Sequence, residues 1–165
     1  MRKLGITTIA VTALAALIVL AAGAPAGATG AKRIAFSAKY SGKAVTQATD
    51  NIVALSATGV GTGVPIGKGT LTGKGTADSS VRPCVPFGGT GKLTGTNRTT
   101  VTFKLVTDSK GCGDESGESF SLVGHVTVTK ATGKLARAKG NLKFTGTYDR
   151  NAGTFSVKFT GTLTQ

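Results

Sequence analysis

The chain has 165 residues and carries 20 Lys and Arg against seven Asp and Glu, for a net charge of +13. That length suits one domain of ordinary size, and two Cys with a single His exclude both a multi-ligand zinc centre and a disulfide-dense scaffold. A field of this sign favours anionic partners.

Taken in chain order, the first element is an export signal. Arg2 and Lys3 precede an uncharged run from Leu4 to Ala22 rich in Leu, Ile, Val and Ala, and small residues follow at Ala24, Ala26 and Ala28. This three-part layout predicts a signal peptide over 1–28, cleaved after Ala28, with Ala24 and Ala26 as alternative points. Pro25 and the small residues end the apolar run directly, which argues against a membrane anchor, and no cysteine stands there to carry a lipid. What remains, 29–165, has 18 basic and seven acidic residues, a net +11.

From there on the dominant period is two. Ile34, Phe36, Ala38 and Tyr40 alternate with Arg33, Ala35, Ser37 and Lys39, giving a first half-buried strand. Two weaker strands are expected near 44–49 and 52–60. A further strand covers 66–77, where Gly67, Gly69, Gly73 and Gly75 share a face with Leu71; glycines on one face make room for close backbone approach or for large side chains opposite. Gly91-Lys92-Leu93 reads as a corner before a strand over 99–108, in which Val101, Phe103 and Leu105 share the apolar face. Phe120, Leu122, Val126 and Val128 mark the next strand, and Gly133-Lys134-Leu135 a second corner. Leu142, Phe144 and Tyr148, then Phe155, Val157, Phe159 and Leu163, mark the last two strands, joined by the turn Asp149-Arg150-Asn151-Ala152-Gly153. Every strand has one apolar face and one face of Thr and Lys, as half-buried antiparallel strands require.

About eight such strands predict an all-β fold, a single antiparallel barrel, with a two-sheet β-sandwich as the alternative. Closure is preferred because it removes exposed strand edges. In an oxidising compartment Cys84 and Cys112 are expected to form one disulfide.

The search for chemistry yields little. His125, the lone histidine, falls on an outer, Thr-rich face and has no nucleophile pattern beside it. Asp114, Glu115 and Glu118 cluster after Cys112 but lack the alternate spacing of a calcium loop, and read as a solvated loop. Gly69-Thr70-Leu71-Thr72-Gly73-Lys74 is one residue short of a phosphate loop and no helix follows it. No catalytic residue, metal site or cofactor is assigned. The outward positions Lys68, Lys74, Lys104, Lys143 and Lys158 form a basic surface suited to envelope phosphate polymers, acidic lipids or nucleic acid. Nucleic acid is disfavoured, because there is no Trp and the Phe residues sit on apolar faces, away from any stacking platform.

Ala131-Thr132-Gly133-Lys134-Leu135-Ala136-Arg137-Ala138-Lys139-Gly140 resembles the corner of plant dirigent proteins, with Gly133, Ala138 and Gly140 matching, and Phe87-Gly88-Gly89-Thr90-Gly91-Lys92-Leu93 resembles the start of the same motif. The Gly/Thr hairpin from Leu142 to Thr162 is similar to small secreted actinobacterial proteins thought to share the allene oxide cyclase-type barrel. The resemblance implies an eight-stranded barrel with a central apolar cavity, commonly assembled as a trimer. It carries over no reaction, since no acidic residue falls on an apolar face.

Three functional expectations follow. The first is a secreted, non-catalytic barrel that holds a small apolar molecule among Phe36, Phe103, Phe120, Phe144, Phe155 and Phe159. The second is a cationic envelope protein that acts through its basic outer face and binds an anionic envelope polymer. The third is a dirigent- or cyclase-like enzyme.

Overall fold

The computed structural model describes residues 30–165. The expected signal peptide and its cleavage point lie outside the described residues. The described chain forms nine strands: β1 (Arg33–Thr49), β2 (Ile52–Val64), β3 (Gly67–Asp78), β4 (Cys84–Thr94), β5 (Thr100–Leu105), β6 (Lys110–Gly113), β7 (Ser119–Ala131), β8 (Asn141–Asp149) and β9 (Thr154–Thr164). Each pairs antiparallel with its neighbours, and β9 returns to pair with β1. The sheet therefore closes into a barrel, as expected, and no sandwich forms.

The closed ring has eight positions because β5 and β6 share one. Both lie between β4 and β7. β5 pairs with Thr90–Thr94 of β4, and β6 pairs with Cys84–Pro86 of the same strand. The four residues between them, Val106 to Ser109, bulge out of the ladder while Val106 still donates its N–H to the carbonyl of His125, at 2.9 Å. The Cys84–Cys112 disulfide joins directly opposed residues of β4 and β6, with Cα atoms 4.0 Å apart.

Two expectations about strand limits are corrected. The break expected between residues 40 and 44 is absent, because the inward series Phe36, Ala38, Tyr40 continues through Gly42 to Ala44 without losing phase. The corner expected at Gly91–Leu93 lies within β4, and the chain turns instead at 95–99. β4 escaped notice because two of its inward positions, Gly89 and Gly91, carry no side chain to mark the apolar face. The second corner is where the sequence placed it, as a short 3-10 helix over Gly133–Leu135.

Paired residues followed once round the ring from Phe120 lead through Tyr148, Phe155, Gly42, Gly59, Leu71, Leu93 and Val101 back to β7 at Ala131. So large a displacement means strongly tilted strands around an interior wide enough for side chains or one small molecule. Aromatic rings from β1, β5, β8 and β9 occupy it. Phe103 and Phe144 both pack on Phe159, with ring centroids 5.3 and 6.2 Å apart. Opposite them stand the glycines of β2 to β4. A side chain on Gly61 would stand 2.6 Å from the Tyr40 ring, and one on Gly59 would stand 2.9 Å from Phe155. Large residues are thus matched to bare backbone on the strand beside them or the next one round.

One end of the barrel is plugged by Ile66, Leu135 and Ala138, all buried. At the opposite end Phe120, Leu122 and Tyr148 are only partly buried. No helix among the described residues is long and apolar enough to cross a membrane.

Candidate functional site: a basic exterior with two unlike poles

The six phenylalanines expected to line an interior site all face inward. Phe36, Phe103, Phe144, Phe155 and Phe159 are buried, whereas Phe120 is partly exposed beside Tyr148. The rings rest on one another and on glycine backbone, which is how a filled core is built. One polar atom is left over. The hydroxyl of Tyr40 is buried without a hydrogen-bond partner, and burial raises its pKa.

Outside, the strand alternation puts Lys68, Lys74, Lys104, Lys143 and Lys158 in solvent, as expected. Register then brings some of them together. Lys158 of β9 lies directly opposite Lys39 of β1, and Lys143 sits diagonally from Lys158 across β8 and β9. Like charges at directly opposed sheet positions destabilise the pair unless something anionic lies between them. An open groove passes over this spot, lined by Lys39 and Lys158 with the hydroxyls of Thr62, Thr145 and Ser156. Its opening to solvent and its mixture of ammonium and hydroxyl donors suit an extended anion rather than an enclosed small molecule.

Among the described residues one ion pair exists, His125 with Asp108. No lysine or arginine there contacts a carboxylate. The aspartate, in the bulge between β5 and β6, also accepts the N–H of His125 at 3.2 Å. The imidazole hydrogen bond holds the Asp108 carboxyl below its ordinary pKa. The pair stands on the outer face next to Lys143, the cross-strand partner of His125. Among the described residues no hydroxyl or thiol is hydrogen-bonded to the ring. Sequence reasoning missed the pair because a bulge, not strand spacing, brings Asp108 alongside.

The larger pattern appears only along the barrel axis. In an up-and-down barrel alternate connections share an end. The β1–β2, β3–β4, β6–β7 and β8–β9 connections therefore lie together, and Ser79 donates to the carbonyl of Asn51 while Arg150 donates to that of Glu118. Six of the seven carboxylates are here: Asp50, Asp78, Asp114, Glu115, Glu118 and Asp149. Three of them serve the turns. Asp78 accepts from the N–H and hydroxyl of Ser80, at 3.0 and 2.6 Å. Asp114 accepts from Ser116 and the N–H of Glu118, at 2.8 and 3.1 Å. Asp149 accepts from the N–H of Ala152 at 2.8 Å. These are Asx-type contacts that hold tight turns. The hydrogen bonds from Ser80 and Ser116 lower the pKa of Asp78 and Asp114.

The other end has no Asp or Glu. It is built from the chain leading into β1, the β2–β3 and β4–β5 turns, and the long β7–β8 corner. Arg98, Lys134, Arg137 and Lys139 project from these turns, and Lys32 lies beside them through backbone bonds to Gln165. All five are exposed. Their backbone is tied down: Thr132 donates to the carbonyl of Arg98 at 3.0 Å, Lys134 donates its N–H to Thr99 at 3.3 Å, and Lys139 pairs with Thr164. The charges are mounted on one connected cap above the plug of Ile66 and Leu135.

No family model matches the chain, and neither the curated proteins nor the solved structures include a match, so a functional reading rests on this geometry.

Proposed function

We propose that this protein is an exported, non-catalytic binder of anionic polymer, acting through its basic exterior. The observation that carries the reading is the absence, among the described residues, of any contact between a lysine or arginine and a carboxylate. A surface that held basic residues only for solubility would gain by interspersing acids among them. Here the acids are gathered at one end and the lysines elsewhere face water unneutralised. The groove over Lys39 and Lys158 adds hydroxyl donors where two ammonium groups already stand side by side. Buried rings packed on one another inside, with free donors outside, favour surface work. The ligand class is a phosphate-bearing envelope polymer rather than nucleic acid, because the aromatic rings are turned inward and leave no stacking platform.

The test is retention on immobilised polyphosphate across a salt series. Each phosphate contact released contributes about −0.7 to the slope of log affinity against log salt for a flexible single strand. A slope steeper than about −3 is expected if four or more cations engage the chain. Retention that ignores salt would remove the electrostatic argument.

A second reading has one specific observation behind it. The unpartnered hydroxyl of buried Tyr40 is a polar atom that an interior guest would satisfy. Mass spectrometry of a solvent extract of the purified protein, with a fluorescent apolar probe in parallel, decides it: no co-purifying molecule and no probe response eliminates an interior ligand.

A further inference from the structure

Resting on the polymer-binding reading, we infer that the ligand is held end-on, by the cap formed from the β4–β5 turn and the β7–β8 corner, with Arg98, Lys134, Arg137 and Lys139 as its phosphate-contacting residues and the acidic end turned away.

Three independent features of the cap lead there. The first is the asymmetry of use. The carboxylates of the far end have structural work, since Asp78, Asp114 and Asp149 hold turns by accepting backbone N–H groups. The basic side chains of the cap have none. Among the described residues the one lysine or arginine side chain that donates a hydrogen bond within the protein is Lys43, to the carbonyl of Ala152. Folding accounts for three of the six acids at that end and for none of the cap cations.

The second feature is backbone conformation. Arg98 has φ 56° and Arg137 has φ 66°, both in the left-handed region that side chains with a Cβ disfavour. Such a residue costs about 1–2 kcal/mol relative to its right-handed form, which glycine would avoid. Of the four non-glycine residues with positive φ, Asn97, Arg98 and Arg137 lie on this cap and Asp50 lies in the β1–β2 turn; both cap turns keep arginine where glycine fits better. Non-glycine residues held in such conformations gather at ligand clamps.

The third feature is preorganisation and direction. The cap turns are joined by hydrogen bonds from Thr132 to Arg98 and from Lys134 to Thr99, so its cations do not have to be collected when a ligand arrives. Two guanidinium forks match phosphate bidentately, flanked by ammonium groups as point charges. Six carboxylates at the other end repel the same polyanion, so the field along the axis presents the cap first.

The experiment compares two variants of equal net charge against inorganic polyphosphate. One removes the cap charges (R98Q, K134Q, R137Q, K139Q). The other removes four from the barrel wall outside the Lys39–Lys158 groove (K68Q, K74Q, K104Q, K110Q). The expected result is an affinity loss of more than tenfold for the cap variant, with its salt slope shallower by about 3, and less than threefold for the wall variant. Equal losses would mean that net charge alone acts, and a larger loss for the wall variant would place the ligand on the barrel wall; either overturns the end-on site and leaves the polymer-binding reading standing. Failure of the unaltered protein to bind polyphosphate overturns both. Tighter binding to single-stranded DNA of the same charge overturns the ligand class.

A second variant guards against misfolding. Replacing both arginines with glycine (R98G, R137G) is expected to leave the thermal midpoint unchanged or higher, since the left-handed positions are relieved, while still weakening polyphosphate binding. A variant that gains stability and keeps full affinity would show that the two arginines have no part in the site.

Discussion

The ring of Phe103 fills the space that a side chain on Gly91, its partner across β4 and β5, would otherwise occupy. The same relationship joins Tyr40 to Gly61 and Phe155 to Gly59. The barrel is packed by seating rings on bare backbone of the next strand or the next but one.

Adding one methyl at such a position is therefore expected to be costly. Gly91→Ala drives a Cβ into the buried Phe103 ring and is expected to destabilise by about 1–3 kcal/mol, the range for overpacking a close-packed core. Gly88 is the control. It faces solvent with nothing within 4 Å of an added Cβ, so Gly88→Ala is expected to be neutral or mildly stabilising. Denaturant unfolding of the two variants checks this, and equal effects would mean that the glycines do not act by admitting rings.

The disulfide ties β6 to β4 across a strand pair that has only three ladder positions. Replacing both Cys84 and Cys112 with Ser is expected to cost about 2–4 kcal/mol. Hydrogen exchange should show the greatest loss of protection in β6 and the bulge before it. Unchanged stability under reducing conditions would show that the bridge is dispensable.

The hydroxyl of Tyr40 has no partner although it is buried. Tyr40→Phe removes that group and keeps the ring against Gly61, so it is expected to stabilise by about 1 kcal/mol or be neutral. A clear loss of stability would mean that the hydroxyl is satisfied in solution by a bound molecule, which is also the sharpest local test for an interior guest.

Acid should destabilise the fold. The carboxyls of Asp108, Asp78 and Asp114 have folded pKa values below their ordinary ones, held there first by side-chain hydrogen bonds from His125, Ser80 and Ser116. A depressed folded pKa contributes stability that is present above the unfolded value, about 3.9 for Asp, and lost as pH falls through the folded value. Thermal midpoints should hold down to about pH 5 and fall below about pH 4. Ser116→Ala, which removes the side-chain hydrogen bond to Asp114 and leaves its backbone N–H donors, should make the fall shallower. A midpoint that rises on acidification would contradict the assignment.

The alternation of greasy and hydroxylated residues identified most strands, because in a pleated strand each Cβ is sent to one face or the other by local geometry alone. It failed at β4 and at the junction near Gly42, where glycine removes the only signal that alternation has. The cation positions Lys68, Lys74, Lys104, Lys143 and Lys158 were legible for the same local reason. The opposition of Lys39 to Lys158 was not, since register between strands distant in sequence depends on closure of the whole ring.

The sequence by itself determined the inside and outside of the strands, the excess of positive charge and the two cysteines available for bridging, all of which need only nearest-neighbour sterics and composition. Tertiary structure decided that β5 and β6 share a slot, that rings meet glycines, and that six of the seven acids gather at one end while the other end is a basic cap without them. The last follows from antiparallel winding, which sends every second connection to the same end of the barrel however far apart those connections lie along the chain.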